Sequence, residues 1–334
     1  MLKRRMLPLL VLAAATMSAV LPAQTTQTLP PTASETQLPA IQGIGRYVTS
    51  SDGTMIAVTD SGPKLSPVTI LLVHGFLHNS QVWFKQINSP SLAAFRIVTM
   101  DLRGFGYSSK PTDPTAYSDL NLQADDIEAV IHQLGLVKPV LTGWSLGGIA
   151  VQGYLEKYGD NELSGVDMVD SIVCPDTACQ QTIFGGLANF PSVDESVSTD
   201  ASTALAGEEG FVNLETGGTE QPSPVLSATD RLVLEEIAHT SPQFARAAAL
   251  NGAATDLTPR PEILENLHVP LLVQHGTNDP IFPASLIPNE VKLVKNATVK
   301  TYANVAHMPF LLAPNAFNLD LQSWVLTKVL VHLP

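Results

Sequence analysis

Apolar positions along the chain form short continuous runs, separated by stretches in which they recur at helical spacing. Val68–Val73 is apolar or β-branched throughout, as a strand buried on both faces of a parallel sheet would be. Phe95–Met100 and Val140–Thr142 read the same way, and Leu163–Val169, Pro270–Gln274 and Thr298–Tyr302 extend the series. Near the start, Tyr47–Thr49 and Met55–Thr59 predict two strands joined at Ser51-Asp52-Gly53. Between the runs, Leu120, Ala124, Ile127, Val130, Ile131 and Leu134 share one face of a predicted helix that Gly135 ends. Leu146–Tyr158 and Ala316–Leu330 predict two more helices.

Strands alternating with helices predict an α/β fold built on a doubly wound, mostly parallel sheet. The alternation breaks between Cys174 and Thr258, where short helical patterns occur at Asp230–Ala238 and Pro242–Leu250. This stretch, 174–258, is expected to be a mainly helical cap inserted between core segments 45–173 and 259–334. Residues 24–44, rich in Thr, Pro, Gln and Ala, predict a flexible leader. Ahead of them, Lys3, Arg4 and Arg5 precede an apolar run from Met6 to Leu21 and the small residue Ala23. That is the layout of a secretory signal peptide cleaved near Ala23, and Arg4-Arg5 resembles a twin-arginine signal. The alternative is a membrane anchor, which the shortness of the run and Pro8 disfavour. The expected location is therefore secreted or periplasmic.

Composition adds that the body folds: 45% of residues are hydrophobic and 15% charged. The formal charge of −13 becomes −16 once the three basic residues of the signal are removed. Such a surface repels phosphate backbones and anionic headgroups, so neither nucleic acid nor a membrane is an expected partner. Cys174 and Cys179 lie five residues apart, and in an oxidising compartment a local disulfide is expected, with free thiols as the alternative.

Gly143-Trp144-Ser145-Leu146-Gly147-Gly148 joins a predicted strand to a predicted helix. A serine between glycines at such a corner projects its hydroxyl above the sheet, and the following helix start offers amide donors to an anion. Serine needs a base to take its proton, and the base needs an orienting acid. Asp279 follows the Pro270–Gln274 strand, and His307 lies between the last strand and the last helix. Ser145, Asp279 and His307 are thus the candidate triad. Asp170, which ends another strand, is the alternative acid.

Four motifs together resemble the α/β-hydrolase superfamily, and within it the capped serine esterases and non-haem haloperoxidase-like enzymes. They are His74-Gly75-Phe76, the stretch Asp101-Leu102-Arg103-Gly104-Phe105-Gly106-Tyr107-Ser108, the serine elbow, and the His275–Asp279 and His307 segments. The resemblance implies that the backbone N–H groups of Phe76 and Leu146 form an oxyanion hole, each donor worth about 3–4 kcal/mol. It also implies that His74 supports its loop, and that Asp101 and Arg103 tie down a turn. No metal or organic cofactor is implied. Epoxide hydrolases and haloalkane dehalogenases of this fold carry aspartate where Ser145 stands.

The implied substrate is a small-molecule carboxylic ester or lactone. Perhydrolase or haloperoxidase-like activity is the alternative, followed by a peptidase or amidase of the same fold and, last, a non-catalytic binding protein. Phe184, Phe190, Phe211 and Phe244 are candidates to line the substrate pocket. The cap acids Asp194, Glu195, Asp200, Glu208, Glu209, Glu215 and Glu220 form either a solvated surface or a field against anionic substrates. Asp125 and Asp126 are expected to be solvated or capping.

Overall fold

The computed structural model of the 334-residue chain describes residues 43–255 and 258–332. The predicted signal and nearly all of the predicted leader lie outside the described residues.

Eight strands form one sheet in the order β1-β2-β4-β3-β5-β6-β7-β8. Strands β1 (Ile44–Thr49) and β2 (Met55–Ser61) pair as an antiparallel hairpin, and β2 runs antiparallel to β4 (Arg96–Met100). The rest of the sheet is parallel: β4 on β3 (Thr69–Val73), then β5 (Val140–Trp144), β6 (Gly165–Val169), β7 (Leu271–Gly276) and β8 (Ala297–Tyr302). Every residue of β3, β5, β6 and β7 is buried, which is why these segments read as unbroken apolar runs rather than alternating ones. The edge strand β1 is mostly exposed. The hairpin turn closes through Ser50 N–H to the Thr54 carbonyl at 2.8 Å, with Gly53 at φ 85.

The predicted helix spans Leu120–Gln133 and buries Ala124, Ile127, Val130 and Ile131, as its spacing requires. Asp119 caps it, accepting the Asn121 N–H at 2.9 Å. Asp126 departs from expectation. It is wholly buried on this helix and takes a two-pronged ion pair from Arg103, at 2.7 Å and 2.6 Å. Its neighbour Asp125 accepts from Ser51, Lys157 and Tyr158. The last helix runs over Pro314–Trp324 and continues in tighter and looser turns to His332.

Between β6 and β7 the chain forms helices at Thr177–Leu187, Pro191–Glu195, Ala201–Gly217, Ala228–Ala238 and Gln243–Thr255. A disulfide joins Cys174 to Cys179 at the start of this connection, and Asp176 between them caps the first helix by accepting the Cys179 N–H at 2.8 Å. Two of its acids are not the solvated charges the sequence suggests. Glu208 is buried against Arg246 at 2.7 Å and His239 at 2.6 Å. Glu215 is buried against His78 at 2.7 Å. Their partners lie outside the acidic stretch, so the pairing is invisible in local sequence. Asp194 and Asp200 are exposed, as expected. The connection is tied to the sheet side by His78–Glu215, by Lys85–Asp230 at 2.8 Å and by Asn79 donating to Thr240 Oγ1 at 3.2 Å. Among the described residues, no helix is long and apolar enough to cross a membrane.

Candidate active site

Ser145 stands at the corner between β5 and the helix Leu146–Tyr158, with φ 53 and ψ −122. Non-glycine residues seldom hold a positive φ, and such strain gathers at functional sites. The corner closes because its glycines leave no room for a side chain. A Cβ on Gly147 would come within 2.5 Å of the Val73 and His74 carbonyl oxygens, and one on Gly143 within 2.7 Å of the Gly147 carbonyl. The result presses the elbow against the end of β3, where Gly75 sits against Ser145 itself.

The β3 turn carries the first expected oxyanion donor. His74 does not face the reaction centre; its Nε2 accepts the Leu102 N–H at 2.9 Å and its Nδ1 lies 2.7 Å from the Gly75 carbonyl. Burial lowers its pKa to about 3, so it is neutral and serves as a strut. Asp101 braces the same region by accepting the Ser80 and Tyr107 N–H groups, both at 2.7 Å. Phe76, Ser145 and Leu146 then line one cleft. Leu146 opens its helix, and a first-turn N–H has no carbonyl partner within its own helix.

Asp279 lies three residues beyond β7, and His307 lies in the loop after β8. The two side chains meet at 2.8 Å through His307 Nδ1 and Asp279 Oδ2. Asp279 Oδ1 is held by the Ile281 N–H at 2.8 Å and the Phe282 N–H at 3.1 Å. Burial opposes ionisation of Asp279, but the charge and hydrogen bond of its partner His307 hold it below the usual carboxylate range. His307 is fixed on three sides. Trp144 donates its indole N–H to the His307 carbonyl at 2.8 Å, the Glu215 backbone carbonyl accepts the His307 N–H at 2.9 Å, and the Phe282 ring stacks on the imidazole at 5.8 Å. Its Nε2 is buried and has no hydrogen-bond partner among the described residues. A serine hydroxyl, an imidazole bound on one nitrogen by a carboxylate and open on the other, and two amide donors are the groups that acyl transfer needs.

Asp170 is a further buried carboxyl of this region, and Asp170, Asp279 and His307 bring one polar atom each within 4.8 Å of one another. Asp279 Oδ2 and His307 Nδ1 are already bonded to each other, which commits two of these three atoms. His275 serves the acid loop, its Nε2 lying 2.7 Å from the Phe282 carbonyl.

The cleft beside Ser145 is walled by Phe184, Leu187, Val193 and Phe211 from the connection and by Ile281 and Phe282 from the acid loop. It shares Leu146, Ile149, Phe184 and Phe282 with an adjoining cavity whose other lining includes Gln123, Gln152 and Gln180. Of the four expected phenylalanines, Phe184 and Phe211 line the cleft. Phe244 is 42% exposed and Phe190 is half-buried, and neither borders these two cavities. Phe244 follows a turn at Pro242 and faces outward, which its spacing alone could not tell. Sequence reasoning missed the pairing of His78 with Glu215, which connects the turn after β3 to the backbone of His307. The second histidine in His-Gly-Phe-Leu-His was the available signal.

The family described as "alpha/beta hydrolase fold" matches residues 68–314. A bifunctional esterase/perhydrolase of Acinetobacter calcoaceticus is 27% identical over 285 residues, covering 84% of this chain and 99% of its own. A non-heme chloroperoxidase of Streptomyces lividans is 28% identical over 286 residues, with 83% and 98% covered. Among solved structures, a candidate aryl esterase from Burkholderia cenocepacia superposes with a TM-score of 0.75 at 31% identity, covering 85% of this chain and 99% of that one. The sheet order, the elbow after β5 and the match across most of the chain lead to one conclusion: the protein is a hydrolase of the α/β-hydrolase family.

Proposed function

We propose that the protein hydrolyses carboxylic esters or lactones through an acyl-enzyme on Ser145. The observation that carries this reading is the 2.8 Å bond from His307 to Asp279 with the far imidazole nitrogen left open, together with a serine at a strained elbow whose neighbour Trp144 bonds the His307 carbonyl. In the first step Ser145 Oγ attacks the substrate carbonyl while His307 Nε2 takes its proton. Asp279 orients the ring and stabilises its charged form. The oxyanion is held by the N–H groups of Phe76 and Leu146, and collapse expels the alcohol, which receives the proton from His307. In the second step His307 takes a proton from water, the hydroxide attacks the acyl carbonyl, and the acid leaves as Ser145 recovers its proton.

The same acyl-enzyme can be opened by hydrogen peroxide in place of water, giving a peracid. The Acinetobacter relative named as both esterase and perhydrolase supports this second reading. A series of p-nitrophenyl esters of increasing acyl length, run with and without peroxide, tests both. Turnover is expected, rising with chain length while the apolar cleft fills and then falling. No turnover on any ester or lactone would refute the reading. Phe184→Trp narrows the cleft at the junction of its two parts, and should shift the preference towards shorter acyl chains by roughly 10-fold in the ratio of kcat/KM values.

We also propose that the protein is exported. The basic and apolar start of the chain and the disulfide between Cys174 and Cys179 support an oxidising destination. The intact mass of protein recovered from medium or periplasm is expected to lack the segment up to about Ala23.

A further inference from the structure

Asp170 follows β6 at φ 39, a positive value that an aspartate adopts at a cost. Its backbone is pinned there, the N–H donating to the Gln274 carbonyl at 3.0 Å. The side chain is wholly buried, and its Oδ1 accepts the Gly276 N–H at 2.8 Å. No backbone or side-chain donor among the described residues satisfies Oδ2.

Among the described residues no lysine or arginine pairs with Asp170, and the two histidines near it are held by other partners. From β7, His275 Nε2 lies 3.6 Å from Asp170 Oδ1 and 3.5 Å from Asp279 Oδ2. That nitrogen is closer to the Phe282 carbonyl, at 2.7 Å, which needs it as a donor, and burial lowers the His275 pKa so that the ring stays neutral. From the loops after β7 and β8 come Asp279 and His307, already joined. On β6 itself, Asp167 bonds Thr142 at 3.3 Å and Gln274 at 3.2 Å. Beyond it, Glu290 accepts the Val173 N–H at 3.0 Å. Asp170 therefore faces a carboxylate, and two buried carboxylates sharing one site cannot both ionise. Burial first, and then the charge of Asp279, push the Asp170 carboxyl well above the usual range.

We propose that Asp170 and Asp279 act as one carboxylic acid–carboxylate pair behind His307, with Asp170 holding the pair's proton and Asp279 carrying the charge. Asp170 is then a positioning residue: it acts on Asp279, and through it on the base. Its role in the reaction rests on the esterase reading above, but the shared proton does not, and the two are measured separately.

The proton is read by infrared difference spectroscopy of wild type minus Asp170→Asn at about pH 7. The expected result is a carbonyl stretch of a protonated carboxyl group in wild type that the variant lacks. Loss of carboxylate bands alone would overturn the proposal, because Asp170 would then be ionised against a charged His275. Thermal melts give a second readout. A carboxyl whose pKa is higher in the folded state loses stability as pH rises from about 4, where unfolded aspartates ionise, up through the folded value. Asparagine cannot ionise, so the melting temperature of Asp170→Asn relative to wild type should climb by at least about 2 °C across that window. A gap independent of pH would contradict the shared proton. Asp170→Ser serves where asparagine does not fold.

The link to catalysis is read from kcat/KM. With Asp279→Asn, the neighbouring carboxyl is released to ionise within 4.8 Å of His307, so this variant should stay at least about 10-fold more active than Asp170→Asn/Asp279→Asn. Equal losses would remove Asp170 from the relay while leaving the infrared result to stand or fall alone. A carboxyl band without any ester turnover would sink the esterase reading and leave the pair intact.

Discussion

Replacing Ser145 by alanine is expected to lower kcat for ester hydrolysis by at least about 10⁴-fold, leaving at most the weak background of the oxyanion donors and the cleft. The loss should be chemical rather than structural. Serine and alanine both carry a Cβ, so the φ of 53 at this corner strains them equally. The glycines that shape the elbow are untouched, and the His307–Asp279 bond does not involve the serine. The thermal midpoint should therefore stay close to that of wild type while turnover disappears. On the proposed mechanism the three groups act as one unit, so His307→Ala should cost about as much, and the double variant little more than either alone.

Arg103→Met should destabilise the fold by roughly 3–5 kcal/mol, the usual cost of leaving a buried charge without its partner. Arg103 is buried beneath the sheet hairpin and meets Asp126 twice, Asp52 at 2.9 Å and the Leu122 carbonyl at 3.1 Å. Burial pushes the Asp126 carboxyl up and Arg103 pulls it back, so without the guanidinium Asp126 must take a proton or remain an unpaired charge. Arg103→Met/Asp126→Leu removes both charges and should recover much of the loss. Denaturant titration of the two variants checks this; equal stabilities would contradict it. The damage should also reach the site. The loop that begins at Asp101 donates the Leu102 N–H to His74, and Phe105 packs edge-on against His74 and Phe76.

The sheet was legible in the sequence because its central strands are buried on both faces. Val68–Val73 and Pro270–Gln274 could not be mistaken for amphipathic helices, and each lies within two residues of an observed strand. The elbow was legible because its backbone shape demands glycine at fixed positions. Asp279 and His307 were legible through their places after strands, although their 2.8 Å meeting is a fact of the fold.

The connection after β6 was read less well. The helix Ala201–Gly217 was not predicted, because its small and acidic residues blur the apolar stripe. The signal that remained was its cap, Asp200, which accepts the Thr203 N–H at 2.9 Å. The sequence leaves Asp126 as a solvated or capping acid and Glu208 and Glu215 as part of an acidic surface or field, because partners such as Arg103 and His78 lie 23 residues from Asp126 and 137 from Glu215. Periodicity reports which face of an element is apolar, not which charges pair across the core. Asp170 is legible at its strand end as an alternative acid; its placement beside Asp279 comes from the packing of β6 on β7.

The central claim is that Ser145 is the acylated nucleophile, and it is tested most directly by a fluorophosphonate probe. Peptide mass mapping after inactivation is expected to show one phosphonyl group per chain, carried on Ser145, with activity lost in proportion to labelling and no labelling of Ser145→Ala. Full ester hydrolysis by a protein whose Ser145 is completely modified, or an adduct that maps to another residue and accounts for the lost activity, would contradict it.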